Sequence, residues 1–195
     1  MVDVAAKRFL HGELQDLREA MVWKLDGVSE YDVRRPLTPT GTNLLGLVKH
    51  LALWESRYFG EVFGRPFPEA LPRWDDDDQH GADLWATADE TRAEIVDRYR
   101  RVWTHSDQTI DALAFDSPGH AAWWPNPEVK LFTILAHMLS ETSRHAGHAD
   151  ILREQLDGSI GTVASRTKSQ PDPAYWEARQ AQIEDAARRA AQLDG

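Results

Sequence analysis

Glu141 and His145 lie four residues apart, with His148 three residues further on and His137 four before Glu141. On a helix a four-residue step stacks two side chains on one face, about 6 Å apart, and this suits two ligands on one cation. His148 can sit one turn above them, and His50, from a segment far upstream, can complete the set from a neighbouring helix. A mixed carboxylate and imidazole set without thiolate fits Zn²⁺, Ni²⁺, Fe²⁺ or Mn²⁺, and three protein ligands leave positions for water or substrate. The same residues also fit a solvated polar edge on a core helix. The spacing differs from the HExxH pattern of zincins and from the paired Glu-x-x-His of di-iron bundles, so neither protease nor oxygenase chemistry follows.

The stretch that holds these groups, Val129 to Leu156, has no Pro and only Gly147 as glycine. Leu131, Leu135, Met138, Thr142, Ala146, Ala149, Leu152 and Leu156 recur at three- and four-residue steps and build one apolar stripe on a helix. At about 100° per residue His145 falls inside the stripe and Glu141 on its edge, with His148 and His137 further round. A carboxylate turned toward a core costs several kcal/mol unless it is paired or bound to a cation. The other elements must supply what satisfies it.

A first helix is expected from Val4 to Asp26, with Asp3 as N-cap, Leu10, Leu14, Leu17 and Met21 inward and Gly27 closing it. His11 beside that row reads as a surface or flank histidine. A second helix begins at Thr42 or Asn43 and runs to Phe63, with Leu44, Val48, Leu51, Glu55, Tyr58 and Val62 on the helical step and Leu47 and Trp54 widening the stripe. His50 sits just outside, beside Leu47 and Trp54. The Pro-rich segment Gly64 to Gly81 carries Asp75, Asp76, Asp77, Asp78 and His80, but it lacks the ligand spacing of a calcium loop and reads as a solvated surface. Thr87 and Glu90 have capping-box spacing and announce a third, structural helix that runs to about Leu113.

Ala114 to Glu128 is a Pro- and Gly-containing connection around Trp123 and Trp124, which can cover a pocket mouth or simply anchor the loop in the core. After the fourth helix and a polar connection, Asp172 and Pro173 start a fifth helix. Its apolar face is thin, made by Tyr175, Trp176, Ile183 and Leu193, and would dock on the bundle or mediate a homodimer. No segment alternates convincingly as a strand. The fold class is therefore all-α, a four-helix antiparallel bundle over 1–160 with connections long enough for a crossover topology, followed by a linker and C-terminal helical extension over 161–195.

The 195 residues are enough for one well-filled core. A formal net charge of -10 opposes binding to nucleic acid or anionic lipid. No apolar run reaches the ~18 residues of a membrane span, and the start lacks a signal peptide's basic and apolar regions, so a cytoplasmic protein is expected. With no Cys there are no disulfides, thiolate ligands or thiol nucleophile of the protein's own. Any sulfur chemistry uses a thiol from outside.

The segments GTNLLGLVKHLALWESRYF and LFTILAHMLSETSRHAGHADILREQLDG together resemble the DinB-like superfamily, in its mini-circle protein branch, over roughly Leu10 to Gly161. The resemblance implies a four-helix bundle with a mononuclear metal, held by one His of the second helix and two ligands one turn apart on the fourth. Carried onto this sequence, that set is His50, Glu141 and His145. Glu141 departs from the all-His pattern of most members, although the related mycothiol-dependent maleylpyruvate isomerase also uses Glu there. His148 stands where many members carry Gln, and either lines the pocket or replaces a ligand.

The implied activity is transfer of a low-molecular-weight thiol such as mycothiol to a small electrophile, with a divalent metal, zinc first and Ni, Fe or Mn behind it. The pocket would involve His148, Trp54 and Trp124, and no further catalytic residue is assigned. A non-catalytic, stress-associated metal-binding bundle is the competing expectation. Hydrolysis by a metal-bound water ranks below both, because no separate general base follows from the sequence.

Overall fold

The computed structural model describes residues 2–71, 81–163 and 172–193, so the acidic run Asp75 to Asp78 and His80 lie outside the described residues. The helices are α1 (Val2–Trp23), α2 (Glu30–Arg34), α3 (Leu44–Phe59), α4 (Arg92–Ala112), α5 (Leu131–Asp157) and α6 (Pro173–Leu193). The chain divides into two compact units at Thr162 and Val163. The first contains α1 to α5; the second contains α6, whose described side chains are exposed along its length. Among the described residues no helix is long and apolar enough to cross a membrane.

Side-chain pairs set the helix directions. Lys7 Nζ donates to Leu113 O at 2.8 Å and Arg92 Nη1 donates to Leu25 O at 2.9 Å, so α1 and α4 run antiparallel. Lys49 meets Glu90 ahead of α4 and Arg65 meets Thr109 near its end, so α3 and α4 run parallel. His50 faces His145 and Tyr58 faces His137, which makes α3 and α5 antiparallel. The end of α1 meets the end of α5 through Lys24 and Asp150 at 2.6 Å. The bundle is therefore up, down, down, up, and the crossover is residues 60–91, which carry the chain back from the end of α3 to the start of α4.

The apolar stripes meet in two core clusters. One contains Met21, Leu25, Leu44, Val48, Ile95, Tyr99, Ala149 and Leu152. The other contains Leu14, Phe59, Ile110, Leu131, Ile134, Leu135 and Met138. Gly158, at φ 74°, ends α5 as expected, its N–H bonding to Glu154 O at 2.9 Å.

Several local expectations need correction. α1 begins at Val2, which puts Asp3 inside the first turn instead of at the N-cap, and the helix ends at Trp23. Asn43, not Thr42, caps α3, accepting from Gly46 N at 2.7 Å. The capping box of the third long helix is Thr91 with Glu94, one turn later than Thr87 with Glu90. Both pairs have the required spacing, but Glu90 Oε2 is engaged by Thr87 N at 3.0 Å and Lys49 Nζ at 2.7 Å, which closes a turn. The Trp123–Trp124 connection is framed by two short antiparallel strands, β1 (Pro118–His120) and β2 (Glu128–Lys130), that no alternation could reveal at three residues each.

Between the helices lies a charge cluster of which periodicity disclosed only Glu55, on the inward step of α3, and none of its partners. Arg18 is 1% and Glu55 0% exposed, and the guanidinium grips the carboxylate at two points, 3.1 and 2.8 Å. Arg18 Nη1 also meets Asp107 Oδ1 at 2.7 Å, and that oxygen lies 2.7 Å from His11 Nε2. His11 is therefore a partner in this cluster instead of a loose surface group. Burial pushes the Glu55 carboxyl up while Arg18 pulls it down. Asp107 is drawn down to about 2, because bonds from His11 and Arg18 outweigh its burial.

A carboxylate depressed from 3.8 to about 2 contributes roughly 2 kcal/mol of stability that is fully present above pH ~4 and lost as pH falls through ~2. Asp107→Asn is expected to cost that amount at pH 7 in urea unfolding. The gap between parent and variant should close as the pH is taken from 4 to 2.

Candidate metal centre

α3 and α5 cross where α3 presents His50 and α5 presents Glu141 and His145 along one turn. His145 Nε2 is 3.0 Å from Glu141 Oε1, and His50 Nε2 is 3.7 Å from the same oxygen. One ligand atom from each of the three residues lies within 4.8 Å of the other two. The His50 and His145 side chains are each 13% exposed and Glu141 23%. The carboxylate thus stands at the rim of the α5 stripe, whose buried members include Met138, Thr142 and Ala146.

The charges around the three groups are strongly coupled. The Glu141 carboxyl is held at about 2, first by His50 and then, against its burial, by His145. Burial disfavours a charged His50, but its interactions with Asp83 and Glu141 prevail and raise its pKa. His145 moves down through burial and the neighbouring His50 charge, in spite of Glu141. One positive charge is welcome here and a second proton is resisted. The donor set, two imidazoles and one carboxylate, fits a borderline divalent cation. His145 Nδ1 is buried without a hydrogen-bond partner, so Nε2 is the nitrogen of that ring that is engaged.

His148 is exposed, and its ring stands 5.4 Å from that of His145, edge to face. Both rings line a cleft of about 160 Å³ together with Thr40, Thr42, Asn43, Leu47 and Leu84. Trp54 stands beside His50 at 6.2 Å between ring centroids. Trp124 is set further back, its ring 4.9 Å from His137 and 5.8 Å from Tyr58. Tyr58 Oη accepts from Trp124 Nε1 at 3.1 Å and from Trp123 Nε1 at 3.5 Å, so both indoles are anchored against α3. Neither Trp54 nor Trp124 is among the residues lining the cleft. His137 packs edge-on between Tyr58 and Trp124, and burial lowers its pKa.

One close neighbour of the site had no local signal. Asp83, in the single helical turn Ala82–Leu84, places Oδ2 2.7 Å from His50 Nδ1, and 33 residues separate the pair. Asp83 falls between the Pro-rich segment that ends at Gly81 and the expected helix start at Thr87, a stretch that carried no reading of its own. The one hint was Gly46, an isolated glycine inside a helical pattern, which signals a packing constraint on that face of the helix.

An all-α bundle in which two imidazoles and a carboxylate come together, with His145 also lining a cleft, belongs to the class of helical proteins with a candidate mononuclear metal site. The chain belongs to the mycothiol-S-transferase family, a DinB-like family whose model matches residues 9–158. That membership supports a mycothiol-related S-transferase-like function, with a thiol co-substrate. No curated protein matches the chain.

Removing the shared acceptor of the two indoles should loosen the aromatic wall while leaving its apolar contacts. Tyr58→Phe is expected to lower stability by about 1–2 kcal/mol in chemical denaturation. Trp fluorescence should report greater exposure of Trp123 and Trp124.

Proposed function

We propose that this protein is a metal-dependent thiol S-transferase that joins a low-molecular-weight thiol of the mycothiol type to a small electrophile. The observation that carries the reading is the convergence of His50, Glu141 and His145 beside a cleft, in a chain of this family. These three residues would hold the divalent cation, and zinc suits the donor set best. Once bound, such a cation lowers the pKa of a coordinated thiol and so supplies a thiolate near neutral pH.

The protein's own residues prepare the rest. Without Cys the chain offers no competing sulfur nucleophile, so the attacking thiol is the co-substrate. Glu141, kept ionised across the physiological range, holds a fixed negative charge between the two imidazoles. Thr40 and Thr42 give the cleft hydroxyl groups that can orient a hydroxyl-bearing substrate, while Leu47 and Leu84 give it an apolar side. His148 lines the cleft and is exposed, and Trp54 stands edge-on beside His50. Trp124 supports that wall from behind through Tyr58.

Purified parent protein is expected to carry close to one divalent metal per chain by elemental analysis, and His145→Ala to lose most of it. Thiol consumption with mycothiol and a small alkylating electrophile should disappear on chelation and return with Zn²⁺. Sub-stoichiometric metal that does not change in His145→Ala would sink the site. Loss of thermal stability on chelation without turnover of any thiol would instead favour the non-catalytic metal-binding bundle.

A further inference from the structure

α3 carries a glycine in its first turn where almost any other residue would collide with another part of the chain. A Cβ on Gly46 would overlap the Leu84 carbonyl group, so the turn Ala82–Leu84 rests directly on the helix backbone. The turn opens at Gly81, whose φ of 74° is left-handed, and Leu84 N bonds back to Gly81 O at 3.0 Å. Asn43, the cap of α3, also donates through Nδ2 to Leu84 O at 3.3 Å, and Lys49 Nζ donates to Trp85 O at 3.0 Å. None of these contacts uses the Asp83 side chain. The turn is thus seated independently of the one carboxylate that it sends inward.

That carboxylate is 3% exposed and ends 2.7 Å from His50 Nδ1. An ionised carboxylate only accepts hydrogen bonds, so the imidazole must donate from Nδ1. In the neutral ring Nε2 is then left with its lone pair, 3.7 Å from Glu141 Oε1, another acceptor. Two acceptors facing each other repel, and either a proton on Nε2 or a metal ion between them removes the conflict. The opposite tautomer would let Nε2–H donate to Glu141 and close the site without any cation. Asp83 disfavours that tautomer.

We propose that Asp83 is the positioning residue of the metal centre, holding His50 in the tautomer whose Nε2 faces Glu141 and His145. The inference rests on the metal reading above and goes beyond it by assigning a role to a residue outside the ligand set. Carboxylates behind metal-bound imidazoles typically change affinity by about 10–100-fold when removed.

The test uses the full chain, Zn²⁺ alone as the probe, and the variants Asp83→Asn and Asp83→Ala. Zn²⁺ affinity is measured by competition with a chromophoric chelator, the melting temperature of the metal-free proteins is recorded, and ¹⁵N imidazole NMR, taken at a pH where the ring is neutral, reports the His50 tautomer. The expected result is affinity about 10–100-fold weaker in both variants, with metal-free melting unchanged and His50 shifting from Nδ1–H toward Nε2–H. Should the Ala variant fail to fold, the near-isosteric Asn variant decides. Parent-like affinity and tautomer in Asp83→Asn overturn the proposal while leaving the metal site standing. Weaker affinity accompanied by an equal collapse of the metal-free fold also overturns it, because the role would then be structural. A parent protein that takes up no Zn²⁺ removes both the functional reading and this one.

Discussion

Arg18 and Glu55 form an ion pair from which water is almost absent, and the register of three long helices depends on it. Taking both charges out of water is expensive, and the loss is offset only when geometry is good and the remaining hydrogen-bonding groups are satisfied. Here the guanidinium meets Glu55 twice and Asp107 once, so α1, α3 and α4 cannot slide past one another without breaking a buried contact. Such a pair contributes little net stability compared with an apolar replacement, but it penalises wrong registers heavily. That matters because the candidate site is made by side chains from separate helices, and a shift of one helical turn would separate them.

α3 is the common element of both polar clusters. Glu55 ties it to α1 and α4, while His50, five residues earlier and on another face, turns toward α5. Its N-terminus is set by Asn43, which also fixes the turn that brings Asp83 up to His50. Its C-terminal half holds Tyr58 under the paired indoles. One sixteen-residue helix therefore aligns the bundle, supplies an imidazole and supports the aromatic wall beside it. The low polarity of its neighbours strengthens each of these electrostatic contacts relative to water.

The arrangement at the site explains why a carboxylate is tolerated on the rim of a core helix. Glu141 lies beside two imidazoles with opposite tendencies, His50 favouring a proton and His145 resisting one. One positive charge beside Glu141 is favoured and a second proton is resisted. Family membership supports a thiol co-substrate, and the donor geometry separately makes His50, Glu141 and His145 a candidate cation site.

The sequence alone carried the helices and their inward faces, because an apolar residue every three or four positions leaves few other ways to bury that surface. It also carried the pairing of Glu141 with His145, since a four-residue step is a local property of any helix. His50 was a candidate from position and resemblance, but only the crossing of α3 over α5 brings Nε2 within 3.7 Å of the carboxylate. The true capping box was ambiguous because two Thr-x-x-Glu pairs follow one another, and the choice fell to Lys49, a residue on another helix. Glu55 already stood on the inward step of the second helix, but Arg18, Asp107 and Asp83 were ordinary polar letters until packing gave them partners. A buried charge is identified by the partner it finds, and those partners lie tens of residues away in sequence. Only the tertiary structure could decide them.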